Sequence, residues 1–219
     1  MTGADPIAQA RAEIVRHGRS LFERGLATGS SGNLSILLDD GSMLLTPTDA
    51  SLGGLEPDRI AHVTAEGAHV SGDLPSKEAF LHRAIYAARP HARGVVHLHA
   101  THSAAVSCMD GLDASDCLPP LTAYQVMKIG RLPLIPYHPP GDRSLAGRIA
   151  AIAVDHPAVL LANHGPIVAG ASLRQAMNAI EELEESAKLF LLLRGVPTRP
   201  LDAGQIADLE TRFGRANDR

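Results

Sequence analysis

The chain of 219 residues contains no tryptophan, and its aromatics amount to four Phe and three Tyr. Any core must therefore be packed from Ala, Val, Leu and Ile. Cysteine is nearly absent too. Cys108 and Cys117 form no Cys-x-x-Cys pair, which excludes a disulfide framework and a thiolate zinc site. There is no excess of positive charge: 20 Lys and Arg stand against 24 Asp and Glu, a net charge of −4. Nothing in that balance draws nucleic acid or an anionic membrane as partner. No apolar run approaches a membrane span, and the opening MTGADPIAQARAEIVRHGRS lacks a basic stretch leading into an apolar one. The expectation is a soluble cytoplasmic protein.

What is present is enough apolar material for a substantial core, 45% of the residues. Helical spacing of Ile7, Ala10, Ile14, Gly18 and Leu21 predicts a helix from Pro6 to about Leu26. SSGNLSILLDDGSMLLTPTD reads as two strands around Asp39-Asp40-Gly41, and AHVTAEGAHVSGDLP as a second strand pair. Ser76 is a candidate N-cap for a helix over about 77–89. GVVHLH reads as a buried strand and THSAAVSCM as a short helix. Residues 119–140 hold six of the fifteen prolines and predict irregular chain around a short helix near 123–129. A helix over 144–154, strands at 158–162 and in PIVAG, and a long amphipathic helix ending before Gly195 follow. No element is assigned after Pro200. With no repeat, low-complexity stretch or linker, the expectation is one α/β domain over 1–219 with a sheet that is not purely parallel.

Chemistry concentrates at the ends of two apolar runs. In an extended strand His97 and His99 point the same way, with Cα atoms about 7 Å apart. Two neutral imidazoles on one face can grip one cation, and three protein ligands leave a position open for substrate. His164 is the best third donor, since it ends a strand and the break Gly165-Pro166 follows. His102 reads as a supporting or packing residue on the next helix. His17, His62, His69, His82, His91 and His156 lie in polar or helix-surface contexts and receive no role; His138 is a site-lining or loop residue. In LPSKEAF, Ser76 and Lys77 at a helix start suit an anion, and Glu78 suits a metal ligand or a general base. TGSSGNLS is a small-residue loop able to bring backbone amides to an oxyanion, though without the Gly-Lys-Ser/Thr of a phosphate-binding P-loop.

Five pieces in order, SGNLS, LLTPT, SKEAFLHRAIY, VVHLHATHS and LLANHGPIVAG, resemble the class II aldolase/adducin family across about 28–194. Within it, SLGGLEPDRI, VSGDLPSKE, LTAYQVMKIGRLPLIPY and IEELEESAKLFLLL are most similar to the subgroup of 3-oxo-tetronate 4-phosphate decarboxylases. The resemblance implies a three-layer α/β/α sandwich with a mainly antiparallel sheet, assembled as a homotetramer with sites between subunits. It implies a divalent metal, zinc first, on His97, His99 and His164, with Glu78 completing the shell when substrate is absent. It further implies phosphate binding by Gly32, Asn33, Thr48, Ser76 and Lys77. Glu78 would act as acid/base and Tyr124 as proton donor. Two departures stand out: Ser76-Lys77-Glu78 replaces the Ser-Ser-Glu common in the sugar-phosphate aldolases, and Asp49 stands where they tend to have Gly. Both fit the decarboxylase subgroup, whose reaction on a small phosphorylated sugar acid releases CO₂ and leaves dihydroxyacetone phosphate by way of an enediolate stabilised by the metal. The alternatives are a sugar-phosphate aldolase or epimerase, and a non-catalytic adducin-like module. The presence of all four candidate ligands speaks against the module.

Overall fold

The computed structural model of the protein describes residues 5–214 and is organised around one sheet. Its strands are β1 (Asn33–Leu37), β2 (Met43–Leu45), β3 (Ala61–Val63), β4 (His69–Ser71), β5 (Gly94–His97), β6 (Leu134–Ile135), β7 (Ala158–Leu161) and β8 (Gly165–Gly170). They lie in the order β4-β3-β2-β1-β5-β8-β7-β6, antiparallel throughout except for β6 beside β7. The helices are α1 (Pro6–Glu23), α2 (Ala79–Ala88), α3 (Thr101–Ser107), α4 (Ala123–Lys128), α5 (Leu145–Ala153), α6 (Leu173–Leu192) and α7 (Ala203–Phe213).

Both faces of the sheet are covered, so its inner strands run apolar without alternation, as in AVLL of β7. Neighbouring residues are nonetheless divided between two cores. Val96, Leu160 and Val168 join Ile14 of α1, Val106 of α3 and Ile180 of α6 on one side. Val95, Val159 and Ile167 join Leu81 and Ile85 of α2 and Ile149 of α5 on the other. This is the expected α/β/α sandwich. Each fully buried aliphatic side chain contributes about 1.5–3 kcal/mol, which lets a core almost free of aromatics hold. Tyr86 is its buried aromatic.

Four local expectations change. The helix after Pro75 begins at Ala79, with Glu78 rather than Ser76 at the N-cap. Ser76 is held extended, because its N–H donates to the Thr46 carbonyl and Pro75 bridges Pro47. Only a long bond from the Glu78 N–H to Ser76 Oγ, 3.3 Å, remains of the anticipated cap. The strand carrying His97 stops there, since β1 begins opposite it at Asn33. His99 therefore stands beyond the strand. The two-residue β6 is too short to leave a pattern. Finally, α7 begins with a capping box in which Asp202 and Gln205 bond each other's backbone N–H at 2.9 Å.

Candidate metal centre

Three imidazoles meet where β5, the segment after it and the β7–β8 turn converge. Nε2 of His97 lies 3.0 Å from that of His99 and 3.3 Å from that of His164, and the last two are 2.9 Å apart. Nitrogens around tetrahedral zinc, at about 2.0–2.1 Å from it, are about 3.3 Å from one another. Lone pairs brought this close repel unless a cation sits among them, so the donor set fits a divalent metal. His97, fully buried, donates its Nδ1–H to the Pro166 carbonyl at 2.8 Å, which leaves Nε2 as the free donor atom. Glu78 completes the group, with Oε2 3.5 Å from His97 Nε2 and Oε1 3.5 Å from His164 Nε2.

The backbone explains this convergence. Asn163 adopts φ +55°, a left-handed turn that Asn tolerates, and aims His164 inward. The Asn163 N–H donates to the Ser107 carbonyl and the His164 N–H to Ser107 Oγ, so the end of α3 grips this turn. At Gly165 any Cβ would lie 2.2 Å from the Leu98 carbonyl oxygen; only glycine lets β8 pass so close to the segment carrying His99. The start of α3, just after His99, is secured by a residue that the sequence reading passed over. Glu184 of α6, buried, accepts from the N–H groups of His102 and Ser103, from Ser103 Oγ and from His102 Nδ1, at 2.7–2.9 Å. Burial works to raise its pKa, but these bonds hold it below the ordinary carboxylate value. His102 thus supports the helix, as expected of it.

A cleft of about 350 Å³ opens above the histidines, lined by Gly32, Asn33, Thr48, Ser76, Lys77, Glu78, His99 and His164. The predicted anion-binding residues are therefore gathered at its rim. The segments carrying Thr48 and Ser76 are tied together by the Thr48 N–H to Leu74 carbonyl bond of 2.9 Å and the Ser76 N–H to Thr46 carbonyl bond of 3.2 Å. Lys77 is exposed and 3.9 Å from Asp49, itself at φ +55°. The Asn33 amide is already engaged, its Nδ2 donating to Glu78 Oε2 at 2.7 Å and its Oδ1 meeting His82 Nε2 at 2.5 Å. His82, given no role from sequence, is thus fully buried beside the site. Pro140 and Gly141 line the cleft, whereas half-buried His138 is outside its lining and donates Nδ1–H to the Pro136 carbonyl at 2.7 Å. Tyr124 is not brought in. It stands 61% exposed on α4, its ring 5.4 Å from Lys128 Nζ, away from its own chain's cleft.

A model of the class II aldolase and adducin N-terminal domain matches residues 12–191. The chain belongs to the class II aldolase and adducin family. Among relatives of this family, it is 52% identical to the 3-oxo-tetronate 4-phosphate decarboxylase of Escherichia coli (strain K12), covering 92% of this chain and 95% of that one. It is 34% identical to the L-fuculose phosphate aldolase of the same strain, with 92% of each covered. The crystal structure of YgbL from Escherichia coli superimposes with a TM-score of 0.92 at 50% identity, over 94% of this chain and 99% of that one. Among the described residues no helix is long and apolar enough to cross a membrane.

The class II aldolase centre carries a pH signature. Burial first, then the closeness of the His97 imidazole, which disfavours a second positive charge, brings His99 and His164 down to about 4. Unfolded, both would titrate near 6.5, so between these values the unfolded chain binds more protons than the native one. Stability of the metal-stripped protein is therefore full above pH ~6.5 and lost as pH falls toward 4. Glu78 adds the same sign: burial opposes its ionisation, but His97, the Asn33 bond and His164 outweigh it and lower its pKa. Thermal melts of the stripped protein should give a lower Tm at pH 5 than at pH 7.5; an equal or higher value at pH 5 contradicts this reading.

Proposed function

We propose that the protein, one domain over residues 1–219, is a zinc-dependent carboxy-lyase of the cytoplasm. It converts 3-oxo-tetronate 4-phosphate to dihydroxyacetone phosphate and CO₂. The observation that carries this is the convergence of three Nε2 atoms and Glu78 beneath a rim of anion-binding loops, in a chain half identical to a decarboxylase of that name. His97, His99 and His164 hold the cation, and neutral imidazoles favour zinc. A divalent metal held there would supply Lewis acidity to stabilise the negative charge that develops when the C1–C2 bond breaks. Gly32 and Asn33, Thr48, Ser76 and Lys77 bind the phosphate and so set the carboxylate that leaves as CO₂. Glu78 serves as acid/base beside the reacting carbons. A proton must then reach C2, and Tyr124 delivers it. Since Tyr124 stands away from its own cleft, it serves the cleft of a neighbouring subunit in a homotetramer.

Incubation with 3-oxo-tetronate 4-phosphate should release CO₂ and dihydroxyacetone phosphate in equal amounts. The likeness to L-fuculose phosphate aldolase favours a second reading, retro-aldol cleavage or epimerisation of a sugar phosphate by the same charge stabilisation. Release of an aldehyde from a sugar phosphate, with no CO₂ from the oxo acid, would decide for it.

Lys77 separates a phosphate contact from a solvent-facing charge. Losing a charge-assisted bond of about 1.5–3 kcal/mol, Lys77→Ala should raise KM about 10–100-fold. Steady-state kinetics in which KM and kcat both stay within about twofold of wild type would place Lys77 in solvent.

A further inference from the structure

Five polar side chains form an uninterrupted row from the core to the metal centre. On α2 and the residue preceding it, Glu78, His82 and Tyr86 recur every four positions and share one face, each step covering about 6 Å of helix axis. On β1, Asn33 and Ser35 are two apart and share the face toward that helix, about 6.6 Å from each other. The two spacings agree, so the rows mesh. All except Glu78 are buried, in a layer otherwise filled by Leu81, Ile85, Val95 and Ile167.

The protons in this row are determined from one end. Glu78, ionised, only accepts, so Asn33 must turn its Nδ2 toward Oε2, the 2.7 Å bond. Oδ1 then faces His82 Nε2, which must donate across 2.5 Å. His82 Nδ1 is left to accept from Ser35 Oγ at 2.7 Å. With its hydrogen used, Ser35 accepts at Oγ from the Tyr86 hydroxyl at 2.8 Å, and the Ser35 carbonyl lies 3.1 Å from the same hydroxyl. Every bond points toward Glu78.

We propose that His82 is a positioning residue for the metal centre: held as the Nε2–H tautomer, it locks the Asn33 amide so that N–H, not the carbonyl, faces Glu78. Without it Oδ1 is left buried with no donor and the amide is held by its bond to Glu78 alone, so it can tilt and carry the carboxylate off the histidines. The inference rests on the metal reading of the site, and its role is one step removed from the ion. Groups of this kind, holding a ligand rather than binding metal, are typically worth about 10–100-fold in metal affinity.

The test is competition for Zn²⁺ between metal-stripped protein and a chromophoric chelator. His82→Phe should weaken Zn²⁺ binding about 10–100-fold. Ile85→Ala, which empties a buried site on the same helix, should lower Tm while leaving Zn²⁺ affinity within about threefold, well inside that range. Equal Zn²⁺ affinity in His82→Phe and wild type, or an equal loss in Ile85→Ala, overturns the proposal. Should His82→Phe fail to fold, imidazole ¹⁵N spectra of the wild-type protein still decide: an Nε2–H ring at position 82 supports the lock, and an Nδ1–H or charged ring at pH 7.5 overturns it. Wild-type protein that takes up no Zn²⁺ overturns the metal reading itself; wild type that binds while His82→Phe binds equally well overturns only the role of His82.

Discussion

His164→Ala is expected to leave purification without stoichiometric zinc and with little activity. Four-donor zinc sites hold the ion with about 10–16 kcal/mol, so one donor accounts for about 3 kcal/mol, more than about 100-fold in affinity. Decarboxylation then loses the electron sink for the breaking bond, and kcat should fall with occupancy. The substitution is a clean one. The left-handed turn at Asn163 and the backbone bonds to Ser107 do not involve the imidazole, so the fold should survive. Metal analysis beside a thermal melt checks both halves. Full zinc occupancy in the variant would remove His164 from the ligand set.

Tyr124→Phe is expected to do the opposite: keep its zinc and lose turnover. General acid catalysis is commonly worth about 10²–10⁴-fold, and the variant should lose about that much kcat. The side chain stands 61% exposed on α4, so deleting one oxygen should barely change Tm. With the hydroxyl serving another subunit's cleft, as proposed above, co-expression of Tyr124→Phe with His164→Ala should restore activity that neither has alone. A mixed oligomer contains clefts with intact histidines facing an intact tyrosine. Unchanged kcat in Tyr124→Phe would return the residue to a plain surface role.

The three converging histidines are legible because their chemistry is local. His97-x-His99 and His164-Gly165-Pro166 announce themselves by residue type, and the apolar runs before them say where they sit. Strand pairs around Gly41 and Gly67 are legible for the same reason, since the turn is written in adjacent residues. The row through His82 is not local. Asn33 and Ser35 look like loop-flanking polar residues, and His82 looks like a helix-surface histidine, until α2 is known to lie over β1. A histidine four residues after Glu78 and a tyrosine four after that is the trace it leaves. Glu184 escapes likewise, because its partners His102 and Ser103 are some eighty residues away and nothing beside it is unusual. The N-cap of α2 falls at Glu78 although Ser76 is a good capping residue in isolation, because the Ser76 N–H is claimed by the Thr46 carbonyl.

Glu78 is hung from α2, in one outer layer, while the segment of His99 is tied through α3 to Glu184 of α6 in the other. His97 belongs to the sheet between them. An ion shared by these residues would therefore be a rivet through all three layers of the sandwich, resisting their separation as well as serving the proposed reaction. Without it that end would be joined by apolar contact and by the hydrogen bonds of Asn33, His82 and Glu184. Breathing motions between α2 and α6 should then be freer there than anywhere near the far edge at β4. Proteolytic nicking after treatment with a chelator ought to begin around the segments that carry His99 and His164.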